Sequence, residues 1–123
     1  MARPFSVRAR FQSLGHAMNG ITLLLKEEHN SRVHLLASVV VLVLGLALGA
    51  SKFDWIVLTI AVTAVWVTEA LNTCAENLCD LVSTEFDPRI QKIKDNAAAA
   101  VLISSAGAVI CGLLVFLPLI FGG

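Results

Sequence analysis

The sequence predicts an all-α integral-membrane protein: one domain over residues 1–123, with an N-terminal amphipathic surface helix followed by three transmembrane helices. Hydrophobic residues make up 57% of the 123 residues, which is above their share in an ordinary soluble domain. They are concentrated in three runs, each long enough to cross a bilayer. Nine basic and nine acidic residues balance, so the composition predicts no nucleic-acid partner.

The first predicted element is a helix over about residues 5–27. Six apolar residues recur at spacings of four and three and lie within roughly 80° on a helical wheel: Val7, Phe11, Leu14, Met18, Ile21 and Leu25. Away from this stripe lie Arg8, Gln12, His16 and Asn19. A basic amphipathic helix of this kind fits the membrane interface. The alternative is a helix that packs into a core as in a soluble protein.

Three apolar segments are predicted to span the membrane, over about residues 33–50, 55–82 and 97–121. In the first span Gly45 and Gly49 form a G-x-x-x-G pair, which favours close helix packing. Small residues are frequent over residues 97–108, and they predict a second packing surface at the start of the third span.

The connections between the spans are predicted as a tight turn at residues 51–54 and a loop at 83–95, broken by Asp87-Pro88. Basic residues are concentrated before the first span and in the second connection: Arg3, Arg8, Arg10, Lys26, Arg32, Arg89, Lys92 and Lys94. The first connection has Lys52 alone. The positive-inside rule therefore places the N-terminus and the second connection in the cytoplasm, and the C-terminus outside.

Polar residues form a stripe in the second half of the second span. Glu69, Asn72, Glu76 and Asp80 are spaced by three, four and four residues, which places them within roughly 80° on one helix face. A charged residue at the bilayer centre costs about 2.5–3.5 kcal/mol on insertion scales, so such a stripe suggests a function. The alternative is a solvated helix end, but about 16 Å of helix separates Glu69 from Asp80.

More charged residues are expected on the same cytoplasmic side. Glu28 precedes the first span, while Lys94 and Asp95 precede the third. Carboxylates can hold Mg²⁺ against triphosphate oxygens, and a lysine can neutralise phosphate charge. The deeper Glu69 could accept a proton from a hydroxyl group at the interface. The pattern thus favours phosphoryl transfer from ATP, although the sequence has neither G-x-x-x-x-G-K-[ST] nor G-x-G-x-x-G.

A non-enzymatic membrane subunit is the alternative function. In that hypothesis Glu69 and Glu76 would be a proton relay within the membrane. It accounts for the acids within the span, but it does not explain why Glu28, Lys94 and Asp95 are expected at the same membrane face.

The segment E-A-L-N-T-C-A-E-N-L-C-D, from Glu69 to Asp80, resembles the signature of the prokaryotic diacylglycerol kinase and undecaprenol kinase family. That signature is E-x-x-N-[ST]-A-x-E-x-x-x-D, in which Cys74 here replaces alanine. Lys94-Asp95 with the following alanines, and Glu28 with Arg32, resemble two further motifs of the family. The resemblance covers nearly the whole chain.

The resemblance implies a lipid kinase of the bacterial inner membrane, a multi-pass homotrimer whose active sites are shared between neighbouring subunits. It implies that Glu69 is the general base and that Glu28 and Glu76 bind Mg²⁺. The residues that match the family's ATP site are Glu28, Asn72, Glu76, Asp80, Glu85, Lys94 and Asp95. An N-terminal arginine contacts ATP in some members. Here Arg8 and Arg10 flank Ala9, which stands at the corresponding position.

The acceptor lipid is expected to be undecaprenol, with diacylglycerol as the second candidate. The segments Glu28–Leu35 and Asp95–Val101 resemble the undecaprenol kinase branch more closely. The diacylglycerol branch more often has an acid where His34 stands in this chain.

Overall fold

The computed structural model describes residues 4–122, which form four helices. In chain order they are α1 (Val7–Glu27), α2 (His29–Leu48), α3 (Lys52–Val82) and α4 (Pro88–Phe121). The last three are long and apolar enough to cross a membrane, which confirms the all-α class and the expectation of three helices suited to span a bilayer. Arg3, which contributed to the predicted orientation, lies outside the described residues.

Helix α1 matches the helix predicted over residues 5–27, and none of its residues is buried. Phe11, Leu14 and Met18 of the apolar stripe are between 58% and 70% exposed. Within a single chain the stripe therefore does not pack into a core.

The chain turns sharply between α1 and α2 at a single residue, Glu28, whose backbone is extended. Arg32 stabilises this corner, since its Nε donates to the carbonyl of Leu25 at 3.1 Å and its Nη2 to that of Lys26 at 2.6 Å. These carbonyls belong to the last turn of α1, where helix acceptors have no partner within the helix and a cation is favourable. Arg32 thus helps to hold the first turn of α2 against the end of α1.

The corner between α2 and α3 is tighter than predicted, because residues 52–54 are already helical. Ser51 Oγ accepts from the Asp54 N–H at 3.1 Å, and Asp54 Oδ2 accepts from the Ser51 N–H at 2.9 Å. This reciprocal capping box starts α3. Gly49 ends α2 with a φ of 71°, a left-handed conformation that glycine adopts without strain.

The loop predicted at residues 83–95 is wrong in its second half, because α4 begins at Pro88. Asp87 is the N-cap, and its Oδ1 accepts from the Arg89 N–H at 2.8 Å. Proline suits the first position of a helix, since its fixed φ is helical and no N–H partner is needed there. The bonds from the Arg89 side chain and amide hold the pKa of Asp87 at about 2.

Helix α3 packs most extensively against α4, and α2 lies against both. A hydrogen bond between Thr68 Oγ1 and Ser104 Oγ, 2.7 Å long, joins α3 to α4 within the apolar region. Most large apolar side chains of the described helices point outward and are exposed. In a membrane these surfaces face lipid or other subunits rather than water.

Gly45 is needed for close packing within the chain, where it faces the indole of Trp55. A Cβ at this position would lie 2.5 Å from Trp55 Cη2. The substitution Gly45→Ala is therefore expected to lower the midpoint of thermal unfolding in detergent. Overpacking costs about 1–3 kcal/mol, which outweighs the helix-propensity gain of up to about 1 kcal/mol.

The matched control is Gly15→Ala, because an added Cβ there meets no atom within 4 Å. This variant should gain the propensity of alanine without a clash and unfold at the parent temperature or above. If Gly45→Ala unfolds at the same temperature as Gly15→Ala, the proposed contact with Trp55 is not a constraint.

Candidate active site

The polar stripe on α3 runs from the interior of the helix bundle to its surface. Glu69 is 1% exposed and Asn72 is 7% exposed. Glu76 is half-buried and Asp80 is exposed. The burial of Glu69 shows that the stripe is more than a solvated helix end.

The buried carboxylate of Glu69 is within hydrogen-bonding distance of His34 on α2. Its Oε2 lies 3.2 Å from His34 Nε2, and the His34 side chain is 17% exposed. An ionised carboxylate can only accept hydrogen bonds, so Nε2–H donates whenever Glu69 is ionised. The sequence analysis names His34 only as a position that distinguishes the two branches of the family and not as a site residue. The available signal was an ionisable residue within a predicted span.

The imidazole of His34 is held in place by α3 and by its own helix. The rings of His34 and Trp66 pack edge to face, with centroids 6.2 Å apart at an interplanar angle of 66°. Trp66 Nε1 donates to Ser38 Oγ at 3.0 Å, and Ser38 Oγ donates to the carbonyl of His34 at 2.7 Å. These contacts restrict the orientation of the ring that faces Glu69.

A cation lies at the exposed end of the stripe. Lys94 Nζ of α4 is 2.9 Å from Asp80 Oδ1, and the two side chains are 33% and 54% exposed. An exposed pair of this kind contributes little to stability, but it places a positive charge beside the acids. The short connection between α3 and α4 makes this approach possible, since Lys94 lies on the first turns of α4.

The remaining residues predicted for the site form no hydrogen bond or ion pair with this cluster among the described residues. Glu28 is half-buried at the corner between α1 and α2, and its side chain forms no cap hydrogen bond. Asp95 is exposed, and its Oδ1 accepts from Gln91 Nε2 at 2.8 Å. Glu85 is exposed in the connection before α4. Arg8 and Arg10 are exposed on α1.

Asn72 and Glu76 offer oxygen ligands of the kind that Mg²⁺ binds. Asn72 Nδ2 lies 3.5 Å from Glu76 Oε1, while Asn72 Oδ1 is buried and has no partner among the described residues. Within residues 4–122 no three His, Cys, Asp or Glu side chains form a metal cluster. Mg²⁺ usually takes one or two carboxylates together with substrate phosphates. The donor set therefore fits a magnesium ion that arrives with a nucleotide.

An apolar cavity of about 470 Å³ lies between α2, α3 and α4. His34, Ser38 and Trp66 line one part of it, and its other lining residues are almost all aliphatic or aromatic. His34, which contacts Glu69, therefore borders both the polar stripe and this apolar cavity.

Comparison with known proteins gives a consistent picture. The family model for prokaryotic diacylglycerol kinase matches residues 15–116. An undecaprenol kinase of Bacillus subtilis is 33% identical over 108 residues, which cover 88% of each chain. A diacylglycerol kinase of Helicobacter pylori is 30% identical over 112 residues, 91% of this chain and 80% of that one. A diacylglycerol kinase of Synechocystis is 32% identical over 107 residues, 86% of this chain and 61% of that one.

The geometry at Asn72 and Glu76 leads to a prediction about Mg²⁺. Glu76→Gln should nearly abolish turnover and weaken Mg²⁺-dependent nucleotide binding, because the neutral amide removes the negative charge that the ion requires. Binding of a non-hydrolysable ATP analogue would be titrated with and without Mg²⁺. Glu27→Gln, an exposed neighbour of the α1–α2 corner without an assigned role, is the control. Normal turnover of Glu76→Gln at low Mg²⁺ would contradict the assignment.

Proposed function

This chain belongs to the prokaryotic diacylglycerol kinase family, and we propose that it transfers the γ-phosphoryl group of ATP to the hydroxyl of undecaprenol. The family is one of kinases, so the chain is an enzyme of the lipid kinase type with ATP as co-substrate. The observation that carries the proposal is Glu69, a carboxylate that is 1% exposed within a membrane helix and lies 3.2 Å from His34 Nε2.

The order of the polar side chains along α3 suggests where the nucleotide and the lipid would bind. Asp80 lies about 16 Å along the helix from Glu69, with Glu76 and Asn72 between them. The nucleotide would bind at the exposed end, where Lys94 supplies a cation. Its phosphates would extend past Glu76 and Asn72, so that the γ-phosphate meets the lipid hydroxyl near Glu69.

The chemical step moves one proton and one phosphoryl group. As the lipid oxygen forms a bond to the γ-phosphorus, its proton passes to the carboxylate of Glu69. The bond between the γ-phosphorus and the bridging oxygen of ADP breaks, and ADP leaves with the electron pair. Lys94 would stabilise the negative charge on the phosphates as a point cation. Mg²⁺ held by Glu76 and Glu28 would neutralise further phosphate charge when bound.

Undecaprenol is favoured over diacylglycerol as the acceptor on two grounds. The similarity to the undecaprenol kinase of Bacillus subtilis extends over 88% of both chains. Position 34 contacts the proposed base directly and would therefore lie near the hydroxyl of the acceptor lipid. A histidine stands here, whereas the diacylglycerol branch more often has an acid, and this difference favours undecaprenol. An assay of purified protein with ATP, Mg²⁺ and each lipid alcohol in mixed micelles tests the choice. Faster turnover of diacylglycerol would reverse it.

The proposed enzyme is a homotrimer of the bacterial inner membrane, with its N-terminus and α3–α4 connection in the cytoplasm. The basic residues before α2 and around the α3–α4 connection support this orientation. The exposed apolar stripe of α1 would lie in the plane of the interface. ATP would then reach the Asp80 end of the stripe from the cytoplasm.

A non-enzymatic proton-relay subunit is the less favoured alternative. It would use Glu69 and Glu76 but would leave the pairing of Lys94 with Asp80 without a role. The named relatives are kinases, which also favours the enzyme.

The role of Glu69 is tested by Glu69→Gln. The amide keeps the size of the side chain but cannot accept the proton, so the rate of lipid phosphorylation should fall by about 10²–10⁴-fold. ATP affinity should stay near the parent value, because the proposed nucleotide contacts lie closer to the exposed end of α3. Both quantities would be measured on the same preparation. An unchanged rate would exclude the base assignment, and a parallel loss of ATP affinity would move Glu69 into the nucleotide site.

The trimer is tested by the mass of the detergent-solubilised protein. We expect three times the chain mass after subtraction of bound detergent, because a single chain exposes many large apolar side chains and has small-residue surfaces suited to helix packing. Light scattering coupled to size exclusion provides the measurement. A protein that is fully active as a monomer would refute both the trimer and the shared sites.

A further inference from the structure

We infer that His34 is the positioning residue of the proposed general base: its Nε2–H holds the Glu69 carboxylate so that one oxygen stays available for the lipid hydroxyl. This inference rests on the proposed function. It starts from the 3.2 Å contact between His34 Nε2 and Glu69 Oε2, which joins α2 to α3.

Burial makes the hydrogen bond necessary. An ionised carboxylate that has lost water is strongly destabilised unless donors replace the water. Among the described residues, His34 is the one side chain that hydrogen-bonds to Glu69. Both the neutral tautomer with a proton on Nε2 and the charged imidazolium can supply this donor. The role of His34 therefore does not depend on its charge.

The surroundings of His34 suit a residue with one fixed orientation. Trp66 packs edge to face against the imidazole. The indole N–H of Trp66 is held by Ser38, whose hydroxyl in turn donates to the His34 carbonyl. A ring restricted in this way can orient a carboxylate with little further loss of entropy, which is how a third group assists a catalytic base.

One oxygen of Glu69 is engaged by His34, which leaves Oε1 to accept the proton. Without the imidazole, the carboxylate could rotate or draw a water molecule into the cavity that His34 borders. Either change would slow proton transfer without touching the nucleotide. The expected effect is thus a loss of kcat with little change in the KM for ATP.

The experiment compares two substitutions at position 34. His34→Leu removes the donor, and leucine is favourable in a membrane helix, so a folded protein is expected. Its kcat should fall about 10- to 100-fold, in line with the loss of a hydrogen bond to a charged group. His34→Gln places an amide N–H near the Nε2 position and should recover at least part of the loss. His16→Leu makes the same change at an exposed site on α1 and should leave kcat unchanged.

The decisive measurement is the effect of His34→Leu in the Glu69→Gln background. If His34 acts through Glu69, the second substitution should add almost nothing, since coupled residues are not additive. A purely structural role would lower the rate by the same factor in both backgrounds. Unfolding midpoints and ATP binding of every variant are measured alongside. Should His34→Leu fail to fold, the same comparison is made with Trp66→Phe, which loses the hydrogen bond to Ser38 but keeps a ring against His34.

The outcomes separate this inference from the function beneath it. A wild-type protein that phosphorylates no lipid alcohol would refute the proposed function and the inference together. If the wild type is active, two results would refute the inference alone. One is a His34→Leu variant with the wild-type kcat. The other is a His34→Leu substitution that lowers kcat by the same factor with and without Glu69→Gln. Loss of kcat that glutamine restores and that vanishes beside Glu69→Gln would establish it.

Discussion

The burial of one carboxylate inside a membrane helix is the constraint on which the rest of this structure depends. Glu69 is 1% exposed, and an unpaired charge in this position would cost several kcal/mol. The hydrogen bond from His34 offsets part of that cost and requires α2 to lie at a defined height along α3. The bonds among Trp66, Ser38 and the His34 backbone fix the same two helices at the same height. The site and the helix packing are therefore set by one group of side chains.

The lengths of the helices determine which charges meet outside the hydrocarbon. Helix α3 has 31 residues and α4 has 34, whereas about 20 are enough to cross a bilayer. Both helices are therefore longer than a bilayer requires, and their charged residues are concentrated at the end where they are connected. Because Asp87 caps α4 immediately after the short connection, the first turns of α4 run beside the last turns of α3. Lys94 reaches Asp80 for this reason.

The sequence predicted the helices and the stripe because both depend on local spacing, and it failed where contacts join distant residues. Glu69 and Asp80 lie on one face by helical periodicity alone. The pairing of His34 with Glu69 spans 35 residues, and no local pattern defines it. Two predicted connections, at residues 51–54 and 83–95, overlap helix starts that the sequence signals. Ser51 and Asp54 form a capping-box signature, and Pro88 after Asp87 marks a helix start as readily as a helix end. The G-x-x-x-G interpretation was too simple, since Gly45 faces Trp55 in the same chain and Gly49 serves as a cap.

A graded environment along one helix would allow similar side chains to perform different tasks. Glu69, Glu76 and Asp80 are all carboxylates, yet they pass from buried through half-buried to exposed. At the exposed end of the helix a carboxylate can pair with Lys94 or bind a hydrated metal ion at little desolvation cost. In the buried part of the helix it has lost competing water, as the proposed role of a base at a lipid hydroxyl would require. A helix that leaves the bilayer at one end provides this gradient by its direction alone. In the proposed reaction, a membrane helix with acids at graded depth would take the place of a glycine-rich phosphate loop, which the sequence does not contain.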